Sequence, residues 1–388
     1  MAESLETREP TAAEHLAGMA RYSKDGKRRA LALGNRGPMR FNDDGTLQQD
    51  ILDAYWRCGF YVFESVIDVQ ELQELRSDID HLLECAPVRL GAEVDARGRA
   101  ALGLEFQRDT YIWVPPLSDP VGGTTQNGGR HPTKMVEPVA PADAPEEVIY
   151  MMFGMCQVMD SGLRLYGHPK LLAVAESING ADFTPFNDAI FIKQPGLGGS
   201  VAWHQDGLTH WDAGNWDEGI HGFNFQVQLY PSTPGNCLWV VPGTHKLGQV
   251  DIKAMVEDNK GSERLPAAVP LFCAAGDVTI TNRQALHCSF ANTSADPRVS
   301  LTFGFHRRSS VLGASGVLGS GAGTVYDESR IFERSSIIAV AIDARQQRFP
   351  HEARYVYQPF VGFEDDFRWN ELTREEVIKD YNMKDLGI

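Results

Sequence analysis

The chain has 388 residues, of which 43% are hydrophobic and 23% are charged, a composition typical of globular proteins. Its formal charge of −16 at pH 7 repels nucleic acids and anionic membrane surfaces, which argues against a polyanionic partner. No apolar stretch reaches the roughly 18 to 20 residues that a membrane helix needs.

The opening segment MAESLETREPTAAEH is polar and lacks the apolar core of a secretion signal, so we predict a cytoplasmic protein. The six cysteines include no CxxC pair and mostly have apolar neighbours. We therefore expect reduced core thiols, not disulfides or a cysteine-built zinc site. The cysteines are Cys58, Cys85, Cys156, Cys237, Cys273 and Cys288.

The first 45 residues are polar and weakly periodic, which predicts a loosely packed N-terminal arm. From Leu47 to Leu83, apolar residues recur at helical spacing on both sides of the run GFYVFESV, a pattern that predicts a helix, a strand and a helix. Residues 87–145 are rich in Gly, Pro and Asp, so we expect a long irregular insertion there. Insertions of this length often form lids over functional sites.

A helical pattern runs from Leu163 to Ile178, and from Ala189 to His306 short apolar runs alternate with turn residues. The runs are AIFIK, FNFQVQL, CLWVV, DVTIT and RVSLTFGF. They predict an antiparallel β-sandwich or jelly roll packed against the preceding helices. After Ser309 comes the Gly- and Ser-rich stretch VLGASGVLGSGAGT, followed by a tail in which residues 354–357 form a candidate strand.

Two His-x-Asp pairs are candidates for metal binding, His204/Asp206 and His210/Asp212. Residues two apart on a strand project from the same face, so the imidazole and the carboxylate can reach one metal ion. The first pair follows the strand AIFIK and the turn-rich PGLGGS, whereas the second lies in a loop. We expect the first pair to bind metal and interpret the second as a polar loop rim or a contact to substrate.

A facial triad of two histidines and one carboxylate needs a further histidine and leaves the opposite side of the metal open. His287 is the best candidate, because it ends the run AGDVTITNRQALH and an antiparallel strand can return it to the first pair. Arg298 then opens the apolar strand RVSLTFGF, where a buried guanidinium needs an anionic partner. The hydroxyls of Ser289 and Ser300 can complete a pocket for a dicarboxylate; the alternative for Arg298 is a surface position at a strand start.

These residues resemble the phytanoyl-CoA dioxygenase family of iron(II)- and 2-oxoglutarate-dependent oxygenases. The resemblance rests on three ordered motifs, PGLGGSVAWHQD, NCLWVVPGTHK and HCSFANTSADPRVSLTF. It extends upstream to GFYVFESV and LYGHPKLLAVAESING, and so covers most of the chain between Leu47 and Arg307.

The resemblance implies an α+β, mainly β fold with a double-stranded β-helix core of the jelly-roll, cupin-like kind and supporting N-terminal helices. Together with the composition, it leads us to predict a dioxygenase domain at residues 46–310 that includes the insertion at 87–145. An arm at 1–45 precedes this domain, and a C-terminal extension at 311–388, packed on the core, follows it. The resemblance also implies iron(II) bound by His204, Asp206 and His287.

The implied cosubstrate is 2-oxoglutarate, with its distal carboxylate on Arg298 and help from Ser289. Gln226 falls, within one residue, where relatives often place another cosubstrate-contacting side chain, frequently a tryptophan. The implied reaction uses O2 to hydroxylate a small molecule, with release of succinate and CO2. Desaturation, epoxidation and ring formation use the same metal ligands, and neither the substrate nor the oligomeric state can be carried over.

Two other classes of function stay open: a cupin-like metalloenzyme that does not use 2-oxoglutarate, and a non-catalytic ligand-binding barrel. Arg298 argues against the first, and an intact triad argues against the second. We interpret His245 and Lys246 as parts of a turn, Cys288 as a packed thiol and His168 as a helix start. Five tryptophans fit a pocket wall and a core equally well: Trp113, Trp203, Trp211, Trp216 and Trp239.

Overall fold

The computed structural model describes residues 9–317 and 322–384. Residues 1–8 of the predicted arm, 318–321 of the Gly- and Ser-rich stretch and 385–388 of the predicted extension lie outside the described residues. The helices are α1 Ala12–Ala32, α2 Gln49–Cys58, α3 Val69–Glu84, α4 Met155–Val158, α5 Asp160–Tyr166, α6 Pro169–Asn179, α7 Ile252–Asp258, α8 Arg308–Val311, α9 Glu328–Arg348 and α10 Glu371–Thr373.

The strands are β1 Arg36–Pro38, β2 Phe60–Glu64, β3 Tyr111–Val114, β4 Val148–Phe153, β5 Thr184–Lys193, β6 Val201–His204, β7 Phe223–Gln228, β8 Trp239–Val240, β9 Val269–Pro270, β10 Val278–Asn282, β11 His287–Ser289 and β12 Arg298–His306. One sheet has the order β1-β2-β10-β7-β12-β5-β4-β3, and the other has the order β6-β11-β8-β9. The α+β class with a double-stranded β-helix core is confirmed. The helices nonetheless contain more residues than the strands, so the description "mainly β" applies to the core.

The two faces of the large sheet differ in chemistry, because side chains alternate along each strand. On β12 one face presents Val299, Leu301, Phe303 and Phe305, which pack into the main hydrophobic core together with residues of α2, α3, α5, α6 and α9. The other face presents Arg298, Ser300 and Thr302. The large sheet therefore has a polar side that lines the interior of the β-helix.

The predicted helix, strand and helix are confirmed as α2, β2 and α3. The single helix predicted from Leu163 to Ile178 is wrong, because Pro169 lacks an N–H and begins a new helix, α6. His168 lies at the N-cap of α6, as expected of a helix start.

The candidate strand at residues 354–357 is also wrong. This segment is irregular and is held by side chains instead of a strand ladder. The Tyr355 hydroxyl donates to Glu176 Oε2 at 2.7 Å, and the Tyr357 hydroxyl donates to the carbonyl of Phe183.

The N-terminal region is not loosely packed, which corrects the expectation for residues 12–32. Thr11 and Glu14 form a capping box that begins α1. Tyr22 stacks on Trp239 with ring centroids 4.3 Å apart, and its hydroxyl donates to the carbonyl of Leu265 at 2.8 Å. These two partners of Tyr22 lie more than 200 positions away in the chain, so local periodicity does not reveal this packing.

The C-terminal helix α9 lies against α5 and β5. Arg345 on this helix forms a buried ion pair with Glu71 of α3, with Nη1 and Oε1 2.7 Å apart. The division of the chain at residue 310 remains a prediction. None of the described helices combines the length and apolarity needed to cross a bilayer.

We predict that Gly26→Ala destabilises the protein. An added Cβ would lie 2.6 Å from Cη2 of Trp239 and 3.0 Å from Cδ of Pro270, and such overpacking costs about 1 to 3 kcal/mol. The matched control is Gly18→Ala in the same helix, because its Cβ would meet only the flexible end of Arg264. Both changes gain about 1 kcal/mol of helix propensity. Thermal unfolding should give a lower midpoint for Gly26→Ala alone; equal midpoints would contradict the packing of α1.

Glu263 joins the insertion to the small sheet. Its Oε2 accepts the Val136 N–H at 2.5 Å, while its carbonyl accepts the Trp203 indole N–H at 2.7 Å. Burial raises the pKa of the Glu263 carboxyl to about 7. The native protein therefore keeps this proton between about pH 4.5 and 7, where the unfolded chain has released it, so stability falls as the pH rises through this window.

We predict that Glu263→Gln removes this part of the pH dependence. From pH 5 to pH 8, the unfolding free energy of the wild type should fall by about 2 to 3 kcal/mol more than that of the variant. Urea unfolding of both proteins at the two pH values measures the difference. All other titrating groups are shared by the two proteins, so a difference that does not change with pH would show that Glu263 ionises normally.

Candidate metal centre and cavity

The candidate metal centre lies where two strands of the small sheet meet. His204 ends β6 and His287 begins β11, and the antiparallel pairing of these strands sets the two residues opposite each other. Asp206 follows two residues after His204, where its N–H donates to the carbonyl of Arg283 at 2.7 Å. The ligand atoms of His204, Asp206 and His287 all lie within 4.8 Å of one another, and all three residues are buried.

Hydrogen bonds orient both imidazole rings for metal binding. Nδ1 of His204 lies 2.8 Å from the carbonyl of Ala202, and Nδ1 of His287 lies 2.8 Å from that of Ala285. A carbonyl only accepts, so each Nδ1 carries the proton and each Nε2 keeps its lone pair. The Nε2 atoms lie 3.4 Å and 3.7 Å from carboxylate oxygens of Asp206, and this donor set fits a divalent cation.

The ionisation states of His287 and Asp206 also suit metal binding. Burial lowers the pKa of His287 to about 4, so its ring is neutral at pH 7. Burial alone would raise the pKa of Asp206, but the positive charge of Arg130 contributes to holding it well below its usual range. The centre therefore offers the neutral imidazole of His287 and the carboxylate of Asp206 at neutral pH.

Two residues that support Asp206 were not predicted from the sequence. The Asn224 amide donates to Oδ2 of Asp206 at 3.0 Å, and Nη1 of Arg130 donates to the Asp206 carbonyl at 3.0 Å and lies 3.4 Å from Oδ1. Asn224 precedes Gln226 by two positions on β7, so strand alternation was a usable signal for it. Arg130 lies in the irregular insertion, where no pattern marks it.

A cavity of about 650 Å³ extends from this centre. Every predicted site residue lines it: His204, Asp206, Gln226, His287, Ser289 and Arg298. Nη2 of Arg298 donates to Oε1 of Gln226 at 3.0 Å. Among the described residues, neither Nε of Arg298 nor Oγ of Ser289 has a hydrogen-bond partner, although both atoms are buried. The unpaired atoms of Arg298 and Ser289 at this end of the cavity fit an anionic ligand; Ser300, whose Oγ is also buried without a partner among the described residues, does not line the cavity.

The insertion and the loop after Asp206 both reach the cavity. Trp113, Asn127 and His131 line it from the insertion, and Leu208 lines it from the loop. A Cβ on Gly128 would lie 2.9 Å from Leu208, so the two segments touch. The His131 ring centroid lies 4.3 Å from that of His204. Closure of these segments as a lid remains a prediction.

The remaining candidates lie outside the metal cluster. His210 has a backbone φ of 67° and its ring contacts His221, while Asp212 is exposed. Nε2 of His245 donates to the carbonyl of Trp56, 2.9 Å away, consistent with a structural role. Cys288 is a packed thiol, as expected.

The five tryptophans were expected either in a pocket wall or in the core, and both environments occur. Trp203 and Trp239 are fully buried in the core, whereas Trp113 lines the cavity. Trp211 and Trp216 are half-buried in the loop after Asp206. The sequence alone did not distinguish these environments.

The model of the phytanoyl-CoA dioxygenase (PhyH) family matches residues 55–300. Phytanoyl-CoA dioxygenase 1 of Oryza sativa subsp. japonica is 31% identical over 116 residues, which are 28% of this chain and 40% of that protein. The match therefore spans less than half of the length of this curated relative.

Two solved structures are similar at low identity. EctD from S. alaskensis, with 2-oxoglutarate and 5-hydroxyectoine, is 19% identical with a TM-score of 0.47, covering 70% of this chain and 80% of that chain. AviO1 from Streptomyces viridochromogenes Tue57 is 18% identical with a TM-score of 0.43, covering 66% and 92%.

We predict that His204→Ala and His287→Ala each weaken iron(II) binding more than about 100-fold, because changes to groups that merely orient metal ligands already cost 10- to 100-fold. His210→Ala is the control and should keep the affinity of the wild type. Anaerobic iron(II) titration of the three variants measures this. Full iron binding by His204→Ala would contradict the assignment.

Proposed function

The chain belongs to the phytanoyl-CoA dioxygenase family, and we propose that it is an iron(II)- and 2-oxoglutarate-dependent oxygenase that hydroxylates a small organic molecule. One observation carries this proposal. A buried His-Asp-His cluster with correctly oriented Nε2 atoms shares a cavity with a buried arginine whose Nε has no partner among the described residues.

Iron(II) and 2-oxoglutarate, when bound, would supply oxidation by O2 with release of succinate and CO2. In this proposal His204, Asp206 and His287 hold the metal on one side and leave the other side for the cosubstrate and O2. Asn224 orients the carboxylate of Asp206 through its hydrogen bond. These contacts fix the ligands before the metal binds, which reduces the reorganisation that binding requires.

Arg298 would bind the distal carboxylate of 2-oxoglutarate. A guanidinium and a carboxylate match through two parallel hydrogen bonds. Gln226 holds one Nη of Arg298 and so limits its rotation, while the Nε edge stays available. Ser289, on β11 of the small sheet, would add a hydroxyl donor from the opposite wall of the cavity.

We also propose a cytoplasmic location and a small-molecule substrate. All six cysteines are buried and free, which fits a reducing cytoplasm. The cavity of about 650 Å³ has room for the cosubstrate and a small molecule, and we propose such a molecule as the substrate.

The experiment is to incubate the protein with iron(II), ascorbate, O2 and 2-oxoglutarate and to measure succinate. We expect succinate above the level of an Asp206→Ala control, because oxygenases of this kind release some succinate without substrate. A cupin-like enzyme that does not use 2-oxoglutarate and a non-catalytic barrel both predict no succinate. That result would overturn the proposal.

We predict that Arg298→Ala weakens 2-oxoglutarate binding about tenfold to a hundredfold, since charged hydrogen bonds contribute roughly 1.5 to 3 kcal/mol. Iron(II) binding should stay near the wild-type value, because no metal ligand changes. Calorimetric titration of 2-oxoglutarate into the metal-loaded variant measures the loss. An unchanged affinity would mean that the dicarboxylate binds elsewhere.

A further inference from the structure

The cavity has the opposite charge to the protein as a whole. The chain carries −16, yet the charged residues that line the cavity are mainly basic. The lining arginines are Arg108, Arg130, Arg283 and Arg298, and the lining aspartates are Asp188 and Asp206. The two positive charges of iron(II) and the two negative charges of 2-oxoglutarate would cancel. The cavity wall therefore stays net positive and attracts an anionic substrate.

Arg130 is the basic residue beside the metal centre. Its Nη1 is held by the carbonyl of Asp206 at 3.0 Å and lies 3.4 Å from the carboxylate, which fixes one edge of the guanidinium. Its Nε is buried and has no partner among the described residues. The side chain is 22% exposed and lines the cavity. A second donor edge is therefore available to a ligand.

His131, the next residue, repeats this pattern. Its ring lies against that of His204, and its Nδ1 is buried without a hydrogen-bond partner among the described residues. Buried polar atoms in native proteins almost always have a partner, because leaving one unpaired costs free energy. Two such nitrogens on consecutive residues of one cavity wall indicate that a polar ligand binds there.

Another part of the cavity wall is apolar. It includes Trp113, Met151, Phe153, Phe186 and Phe191. Aromatic and thioether side chains of this kind bind an apolar body and exclude water from it. The cavity thus combines one polar contact beside the metal with an apolar chamber.

We propose that the substrate is a monocarboxylic acid with an apolar body, and that Arg130 and His131 bind its carboxylate. This inference rests on the proposed function for the position of iron and 2-oxoglutarate. In that state Arg298 is paired with 2-oxoglutarate and Asp206 with iron, which leaves the charge of Arg130 for one negative charge of the substrate. A planar guanidinium edge matches a carboxylate better than it matches a neutral amide.

The test compares each acid with its amide, which has the same shape and no charge. The probes are 3-phenylpropionate and 3-phenylpropanamide, decanoate and decanamide, and 2-phenylethyl phosphate. Each is titrated calorimetrically, under nitrogen, into the protein loaded with iron(II) and saturated with 2-oxoglutarate. Wild type should bind at least one acid about tenfold or more tightly than its amide.

Arg130→Gln should reduce this preference to about threefold or less, and Arg130→Lys should retain part of it. The matched control is Arg89→Gln, the same change at an exposed position of the same insertion, and it should keep the full preference. Arg130→Gln is expected to weaken iron(II) binding, because Arg130 contacts Asp206, so iron(II) is added to saturation and the preference is measured on the loaded variant.

Several results would overturn the inference. These are equal binding of acids and amides by wild type, no binding of any acid, tighter binding of the phosphate, or a preference that survives in Arg130→Gln. A preference lost as fully in Arg130→Lys as in Arg130→Gln, with both variants saturated with iron(II), would show that Arg130 serves Asp206 instead of the substrate. Failure of the proposed function is separate, because it appears as absent succinate or absent 2-oxoglutarate binding in wild type.

Discussion

The antiparallel pairing of β6 with β11 is the constraint on which the site depends. It sets His204 opposite His287, and the carbonyls of Ala202 and Ala285 then fix the proton of each ring on Nδ1. Both Nε2 atoms therefore point toward the carboxylate of Asp206. Asp206 can complete the cluster because its backbone N–H is tied to Arg283 just beyond the end of β6.

The large sheet forms the rest of the cavity, because side chains alternate between its two faces. Its apolar face packs against the helices and makes the main core, so the opposite face is free to be polar. Asn224 and Gln226 on β7 project from that polar face, toward Asp206 and Arg298 respectively. One stable framework thus holds both ends of the proposed cosubstrate site at a set separation, which is how rigid strands achieve precise geometry.

The irregular insertion contributes cavity residues that do not belong to the strands of the family motifs. The metal cluster and Arg298 come from strands that carry the family resemblance, whereas Arg130 and His131 come from an irregular segment that approaches the same cavity. Asp206 links the two, because it contacts both Arg130 and the metal-facing histidines. Substrate choice can therefore change through the insertion while the metal ligands stay constant, as is usual for loops on a stable scaffold.

The sequence by itself was enough to predict the β-helix core, the triad, Arg298 and the helix, strand and helix from Leu47 to Leu83. These features depend on local periodicity or on short motifs, which a sequence displays directly. Only the tertiary structure decided the docking of α1 on Trp239 and the approach of Arg130 to Asp206. Both contacts join residues far apart in the chain, and the free energy that determines them lies in packing and hydrogen bonds that no local pattern records.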